Sequence, residues 1–327
     1  MAEFDLIDLI RARCEVGRAD VRLGIGDDAA VLAVPAGHEL AVSTDTLVAG
    51  VHFPAATRAD DLGWKALAVN LSDLAAMGAT PAWALLALTL PAAERSLVEG
   101  FAIGFAELAA QHRVALVGGD TTRGPLAVSV VVHGFVPPGR ALRRDGAQVG
   151  DLVFVTGTLG DAAAGLRCLD PRDVQAHALF HAPADAREWL LARLNRPMPR
   201  IAAGIALREF ATACIDVSDG LCADLGHVAK RSDVGIEVDA SRLPASSALL
   251  ALFDEADRVA LQASGGDDYE LAFTAPPARE AELQRDLARL GCGATRIGRV
   301  VAGSGVRLQD NAGTEIALYR RGWEHFA

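Results

Sequence analysis

Six times along this chain an aspartate, alone or doubled, stands beside glycine or hydroxyl residues. The stretches are Gly24-Ile25-Gly26-Asp27-Asp28, Ser43-Thr44-Asp45-Thr46, Asn70-Leu71-Ser72-Asp73, Gly118-Gly119-Asp120-Thr121, Asp216-Val217-Ser218-Asp219-Gly220 and Gly265-Gly266-Asp267-Asp268. Several lie at the ends of apolar runs that read as strands. Adjacent side chains on a strand point to opposite faces, so Asp27 and Asp28 serve one site only if the backbone bends there. Gly24 and Gly26 permit that bend, because glycine tolerates positive φ and lets a ligand approach the main chain. A single cluster of this kind is ordinarily a turn or a helix cap. Six of them point to a site, and we expect them to converge on metal-bound phosphates.

The donors are carboxylates and hydroxyls, with no paired His or Cys. Hard oxygen donors suit magnesium, manganese or calcium rather than zinc, and the twelve-residue calcium loop is absent. Gly157-Thr158-Leu159-Gly160-Asp161 falls between a strand and a helix and resembles a phosphate-cradling turn; a plain tight turn reads equally well. No Lys follows it, so it is not a Walker loop. Lys65 and Lys230 are the only lysines in the chain, and the protein-kinase catalytic loop is missing. Phosphates would therefore be met by metals, arginines and backbone amides. Arg143 and Arg144 are candidate phosphate forks, or else solvated linker charge. His52 beside Phe53 is a ligand contact or an ordinary turn histidine. Trp323 either stacks on an aromatic ligand or pins the C-terminal segment.

With 327 residues, 51% hydrophobic and 22% charged, the chain has ample core material and a length that suggests two domains. The net charge of −11 argues against a broad nucleic-acid surface. No apolar run reaches a membrane span, and the acidic Met1-Ala2-Glu3-Phe4-Asp5 is no signal peptide. Five scattered cysteines form no metal or redox pair, which suits a reducing compartment and a cytoplasmic location. Periodicity predicts helices over 4–13, 60–77 (with Leu62, Ala66, Val69, Leu74 and Met77 as the apolar stripe), 97–112, 201–210, 223–231 and 280–290. Strands are expected over 40–48, 83–90, 114–117, 126–136, 151–155, 213–217, 235–238, 271–274 and 295–301, and helices joined by loops over 171–199. Ser72 and Asp73 fall inside a helix that neither favours, so each needs a partner or a solvent-facing position. Pro137-Pro138-Gly139 marks a break: an N-terminal domain over 1–137, a linker over 138–149 and a C-terminal domain over 150–327.

Taken together and in order, these motifs resemble the thiamine-monophosphate kinases. The matching stretches are Gly-Ile-Gly-Asp-Asp-Ala-Ala (24–30), Ser-Thr-Asp-Thr-Leu-Val-Ala-Gly-Val-His-Phe (43–53), Val-Asn-Leu-Ser-Asp-Leu-Ala-Ala-Met-Gly-Ala-Thr-Pro (69–81), Gly-Gly-Asp-Thr-Thr-Arg-Gly (118–124), Gly-Arg-Ala-Leu-Arg-Arg (139–144), Ile-Asp-Val-Ser-Asp-Gly-Leu (215–221) and Gly-Gly-Asp-Asp-Tyr-Glu-Leu (265–271). The resemblance implies the α+β fold of the aminoimidazole-ribonucleotide synthetase-like ATP-binding enzymes. In that fold an N-terminal mixed-sheet domain pairs with a second subunit, giving a homodimer, and a C-terminal α/β domain has a mixed sheet flanked by helices. It also implies transfer of the ATP γ-phosphoryl group to thiamine monophosphate. By the resemblance, several magnesium ions would be held by Asp28, Ser43, Thr44, Asp45, Asp73, Asp120 and Asp216, with Asp219 on a further ion. Gly119, Asp120, Arg144 and Ser218 would contact ATP; His52, Asp267 and Trp323 would contact thiamine monophosphate. The family pattern carries Glu-Asp after the glycine pair, whereas this chain has Asp267-Asp268, which keeps the charge and shortens the reach.

No obvious general base stands out, and none is expected for a phosphate acceptor that is already mostly deprotonated at pH 7. Neither nucleic acid nor membrane is an expected partner. Two alternatives remain open at this level: another ATP-using enzyme of the same superfamily with a different acceptor, and a non-catalytic protein that binds divalent cations or nucleotide.

Overall fold

The computed structural model describes residues 3–14, 16–169 and 184–324. The chain divides into two compact units, Met1–Leu74 with Ala79–Ala141, and Ala75–Gly78 with Leu142–Ala327.

The first unit runs α1 (Glu3–Arg13), β1 (Val21–Leu23), β2 (Val31–Leu32), β3 (Glu39–Val48), α2 (Ala59–Ala76), β4 (Thr80–Leu90), α3 (Arg95–His112), β5 (Ala115–Arg123) and β6 (Ala127–Val136). Its main sheet has the order β3-β6-β4-β5 and is mixed, because β4 and β5 are parallel while the other pairs are antiparallel. The period of two decides which way each strand faces. Along β6, Val128, Val130 and Val132 are buried, and their neighbours Ser129, Val131 and His133 are half-buried on the other face. Trp83 meets Phe135 edge-on at 5.0 Å, and Val21 and Leu32 of the β1–β2 ribbon pack against the same cluster.

Helix α2 is buried along nearly its whole length rather than on one stripe. Met77, expected in that stripe, lies beyond the helix end and is exposed. The reason is the approach of α3. A Cβ at Gly63 would lie 1.9 Å from the carbonyl oxygen of Phe101, and one at Gly104 would lie 1.7 Å from that of Asp60. Two glycine positions thus let α2 and α3 meet backbone to backbone. The short strand expected over 114–117 continues through Gly118-Gly119-Asp120 to Arg123, and the apolar run after Asp28 supplies only the two residues of β2.

The second unit holds β7 (Leu152–Thr156), α4 (Asp161–Arg167), α5 (Ala184–Asn195), α6 (Ile201–Leu207), β8 (Ala213–Asp216), α7 (Leu221–Ser232), β9 (Gly235–Asp239), α8 (Ser247–Leu252), α9 (Glu255–Ser264), β10 (Leu271–Ala275), α10 (Glu280–Arg289), β11 (Ala294–Val301) and β12 (Gly305–Gln309). The early part of the helices expected over 171–199 lies outside the described residues. The sheet order is β12-β9-β11-β7-β10-β8, with β12 and β9 parallel and the other pairs antiparallel. Strands β7, β8 and β10 are buried throughout. Val153 and Val155 face a core shared with Ile215, Leu225, Ile236 and Ile297. Phe154, on the other face, stacks on its cross-strand neighbour Phe273 at 5.4 Å.

Replacing Gly104 by alanine should gain about 1 kcal/mol of helix propensity and lose more by forcing α3 away from α2. We expect a net loss of about 2 kcal/mol or more in urea unfolding of Gly104→Ala; wild-type stability would contradict the close approach.

Candidate active site

In the first unit the candidate donors are placed by β3 and α2. Alternation along β3 turns Ser43, Asp45 and Leu47 inward and Val42, Thr44 and Thr46 outward. The Ser43 hydroxyl donates to Asp73 Oδ2 at 2.5 Å, which supplies the partner that a mid-helix aspartate requires. One turn earlier on α2, buried Asn70 accepts the Asp45 N–H on Oδ1 at 2.8 Å and donates from Nδ2 to the Ala66 carbonyl at 2.9 Å. Asn70 therefore ties β3 to α2, a role that its sequence context does not announce. Thr44, by contrast, turns its hydroxyl to the Val130 carbonyl at 3.1 Å on the other face of the strand.

Asp120 is reached through a bulge. β5 pairs Leu116 with Ala84 but Gly118 with Leu85, so Val117 is the extra residue. A Cβ at Gly119 would lie 1.9 Å from the Leu86 carbonyl oxygen, so only glycine fits that approach. The register then aligns Asp120 with Ala87, Ser129 and Thr46, on the face opposite Ser43 and Asp45. The sheet thus divides the expected donors between its two faces. Asp27 and Asp28 are exposed after Gly26 (φ +126°), where the backbone bends as expected, and the Asp28 N–H donates to Asp27 Oδ1 at 2.9 Å. His52 Nδ1 accepts the Val48 N–H at 3.0 Å, which places the proton of the neutral ring on Nε2.

In the second unit three segments meet. The loop Ser218-Asp219-Gly220 leaves the end of β8, beyond buried Asp216. The 266–270 stretch lies against it: Asp267 N–H donates to the Ser218 carbonyl and Tyr269 N–H to the Val217 carbonyl, each at 2.8 Å. The C-terminal segment arrives through the Trp323 N–H, which donates to the Asp219 carbonyl at 2.9 Å. The structure therefore brings Asp216, Ser218, Asp219, Asp267 and Trp323 into one neighbourhood. Arg143–Arg144 lies alongside β8, where the Arg143 carbonyl accepts the Cys214 N–H at 2.8 Å. Arg143 is already committed to a two-pronged pair with Asp145, at 2.8 and 2.5 Å, whereas the exposed Arg144 has its carbonyl held by Ser232.

Several acids close to these segments are structural instead. Asp224, buried in the first turn of α7, collects the N–H groups of Ser218, Asp219 and Gly220 on one oxygen at 3.0–3.1 Å. The three amides of this loop are thereby occupied. Burial pushes the Asp224 carboxyl up to about 7, and the charge of Asp219 pushes the same way. An acid in the first helical turn after a glycine loop is the signal that could have found it. Asp268, which the acid-cluster reading placed with Asp267, is buried and accepts the Gly160 N–H at 2.7 Å; burial holds its carboxyl well above the usual range. Asp161 takes the hydroxyls of Thr158 and Ser246 at 2.8 and 2.6 Å. The turn over 157–161 is thus filled by the protein's own carboxylates and is a tight turn, not a phosphate cradle. Glu270, fully buried, receives Thr156 Oγ1 at 2.7 Å, Arg193 Nη2 at 2.9 Å, and Arg200 through Nε and Nη2 at 2.6 and 2.5 Å.

Among the described residues no group of three or more His, Cys, Asp or Glu side chains is gathered closely enough to cage a metal ion. Magnesium does not require such a cage. It keeps several waters and binds through one or two carboxylates together with substrate phosphates. The oxygen-only donors, with Ser43 already against Asp73, fit that habit.

Residues 26–136 match the family described as "AIR synthase related protein, N-terminal domain", and residues 148–311 match its C-terminal domain. The thiamine-monophosphate kinase of Escherichia coli strain K12 is 47% identical over 325 residues, covering 99% of this chain and 98% of that protein. The crystal structure of the thiamine-monophosphate kinase from Stenotrophomonas maltophilia K279a is 53% identical, with a TM-score of 0.87 over 97% of this chain and 98% of that one. A structure described as AaThiL complexed with AMPPCP and TMP is 34% identical, with a TM-score of 0.75 over 99% of this chain and 97% of that one.

Removing the Glu270 charge would leave two arginines facing an uncharged buried group. Breaking such a pair costs about 3–5 kcal/mol. Glu270→Gln should lose stability on that scale in denaturant unfolding, and a loss below about 1 kcal/mol would show that the fork is dispensable.

Proposed function

The chain belongs to the thiamine-monophosphate kinases of the AIR synthase-related family, and on that premise we propose that it transfers the γ-phosphoryl group of ATP to the phosphate of thiamine monophosphate, giving thiamine diphosphate and ADP. The observation that carries this reading is the near full-length likeness to a structure described with AMPPCP and TMP bound, set beside the meeting of the 218–219 loop, Asp267 and Trp323 in the second unit.

The chemistry asks little of a base. The acceptor phosphate has a second pKa of about 6 and is mostly ionised at pH 7. Repulsion is the larger obstacle: two unit charges 4 Å apart cost about 4 kcal/mol at an effective dielectric of 20, and several such pairs must coexist. Magnesium, when bound, would neutralise that charge and orient the phosphates. In our reading, Asp28, Ser43, Thr44, Asp45, Asp73 and Asp120 of the first unit and Asp216 of the second hold the ions, with Asp219 on a further one. Thr44 would serve through its backbone, since its hydroxyl is turned away. Gly119, Asp120, Arg144 and Ser218 would hold ATP, and Arg144 is favoured over Arg143 because Arg143 is occupied by Asp145. His52, donating from Nε2, would meet the acceptor, together with Asp267 and Trp323. Catalysis is then positioning and charge compensation.

We also assign a homodimer and a cytoplasmic location. Leu40 and Val42, 42% and 56% exposed, lie on the outward face of β3, an edge strand of its sheet, and a second copy would cover them. All five cysteines are free and buried, as suits a reducing compartment. No helix of the described residues is long and apolar enough to cross a membrane.

A coupled ADP-release assay with ATP, magnesium and thiamine monophosphate should give turnover that thiamine alone does not support; no turnover, with ATP still bound, would move the reading to another acceptor. Asp45→Asn and Asp73→Asn should each lower kcat by orders of magnitude with wild-type unfolding curves. Near-normal turnover in both would sink the metal roles. Arg144→Ala should raise KM for ATP several-fold and that for thiamine monophosphate little, and equal rises would count against its assignment.

A further inference from the structure

Two residues of the 266–270 stretch are neither glycine nor asparagine and yet sit in the left-handed region: Asp267 at φ +69° and Tyr269 at φ +50°. Side chains with a Cβ avoid that region unless the surroundings impose it, and such positions gather where function needs a fixed geometry. Here the surroundings do impose it. The amides of Asp267 and Tyr269 are both held by the carbonyls of the 217–218 segment, and between them the Asp268 carboxylate is held by the Gly160 amide. The result is that residues two apart are turned towards each other, and the Tyr269 hydroxyl donates to Asp267 Oδ1 at 2.9 Å. The ring of Tyr269 is buried, whereas Asp267 is half-exposed. A buried, rigid phenol thus grips one oxygen of a carboxylate that reaches towards solvent.

We propose that Tyr269 is a positioning residue for the acceptor substrate: its hydroxyl fixes the orientation in which the Asp267 carboxylate meets the ligand. This rests on the reading that Asp267 contacts thiamine monophosphate. A carboxylate is repelled by phosphates, so the end it presents to is the one away from them, the amine-bearing, cationic heterocyclic end of the acceptor. A free aspartate side chain would lose rotamer freedom on binding; the hydrogen bond from Tyr269 removes that freedom beforehand.

A double-mutant cycle over Tyr269→Phe, Asp267→Asn and the double variant tests this, reading KM and kcat for thiamine monophosphate and KM for ATP alongside thermal unfolding. Tyr269→Phe should raise KM for thiamine monophosphate about five- to tenfold, with kcat and KM for ATP within about twofold. In the Asp267→Asn background the same change should add less than twofold, because the hydroxyl then has no carboxylate to aim. A loss from any other contact of the hydroxyl would persist in that background, so additive effects overturn the proposal whether or not the variant is less stable. An unchanged KM in Tyr269→Phe, with a raised one in Asp267→Asn, overturns the role of Tyr269 and keeps that of Asp267. An unchanged KM in Asp267→Asn overturns both.

Discussion

The second unit depends on one buried carboxylate. Glu270 joins the end of β7 through Thr156, α5 through Arg193, and the start of α6 through Arg200. A charge in that position is tolerable only while its partners are in place, so the fork fixes where four separate segments stand. It also forbids a side chain at position 157, where a Cβ would lie 2.2 Å from Glu270 Oε1. With Asp268 pinned to the amide of Gly160 two residues earlier, the chain entering β10 has no freedom left. That rigidity is what allows non-glycine residues to be held in a left-handed backbone beside the 218–219 loop.

The first unit obtains its rigidity by a different route. Its two long helices are locked by the shape of their backbones, which meet at Gly63 and Gly104. The consequence appears at β3, where Asp73 and Asn70 on α2 have to meet Ser43 and Asp45 at hydrogen-bonding distance. A small displacement of α2 would open both contacts together. The helices that cross at glycines therefore set the spacing of the acidic pair.

Much of this was legible in the sequence. The strand over 40–48 and the helix over 60–77, Met77 apart, stand where periodicity put them, and the glycine before Asp27 announced the bend. The family motifs carried the likeness to the kinases. What stayed hidden has physical causes. Strands β1 and β2 are too short to show a period, and α8 and α9 were missed although Ser246 and Asp254 cap them, accepting the N–H groups of Leu249 and Asp257. The 265–271 motif reads as one acidic patch, yet Asp267 is half-exposed while Asp268 and Glu270 are buried. Ordinary strand alternation cannot produce that division; the left-handed turns at Asp267 and Tyr269 do, and although aspartate tolerates that region, tyrosine gives no sign of it.

The capture of three successive amides by Asp224 has a bearing on inhibitor chemistry. Many nucleotide sites present a ring of unsatisfied N–H groups, so a bare anionic oxygen gains much of its affinity there directly from the main chain. At the 218–220 loop those donors are spent on an internal carboxylate. A phosphate mimic aimed at this loop would meet negative charge rather than an amide nest. Compounds designed against this corner should therefore carry their own cation-chelating group or address the side chains, and simple oxyanions should make poor leads.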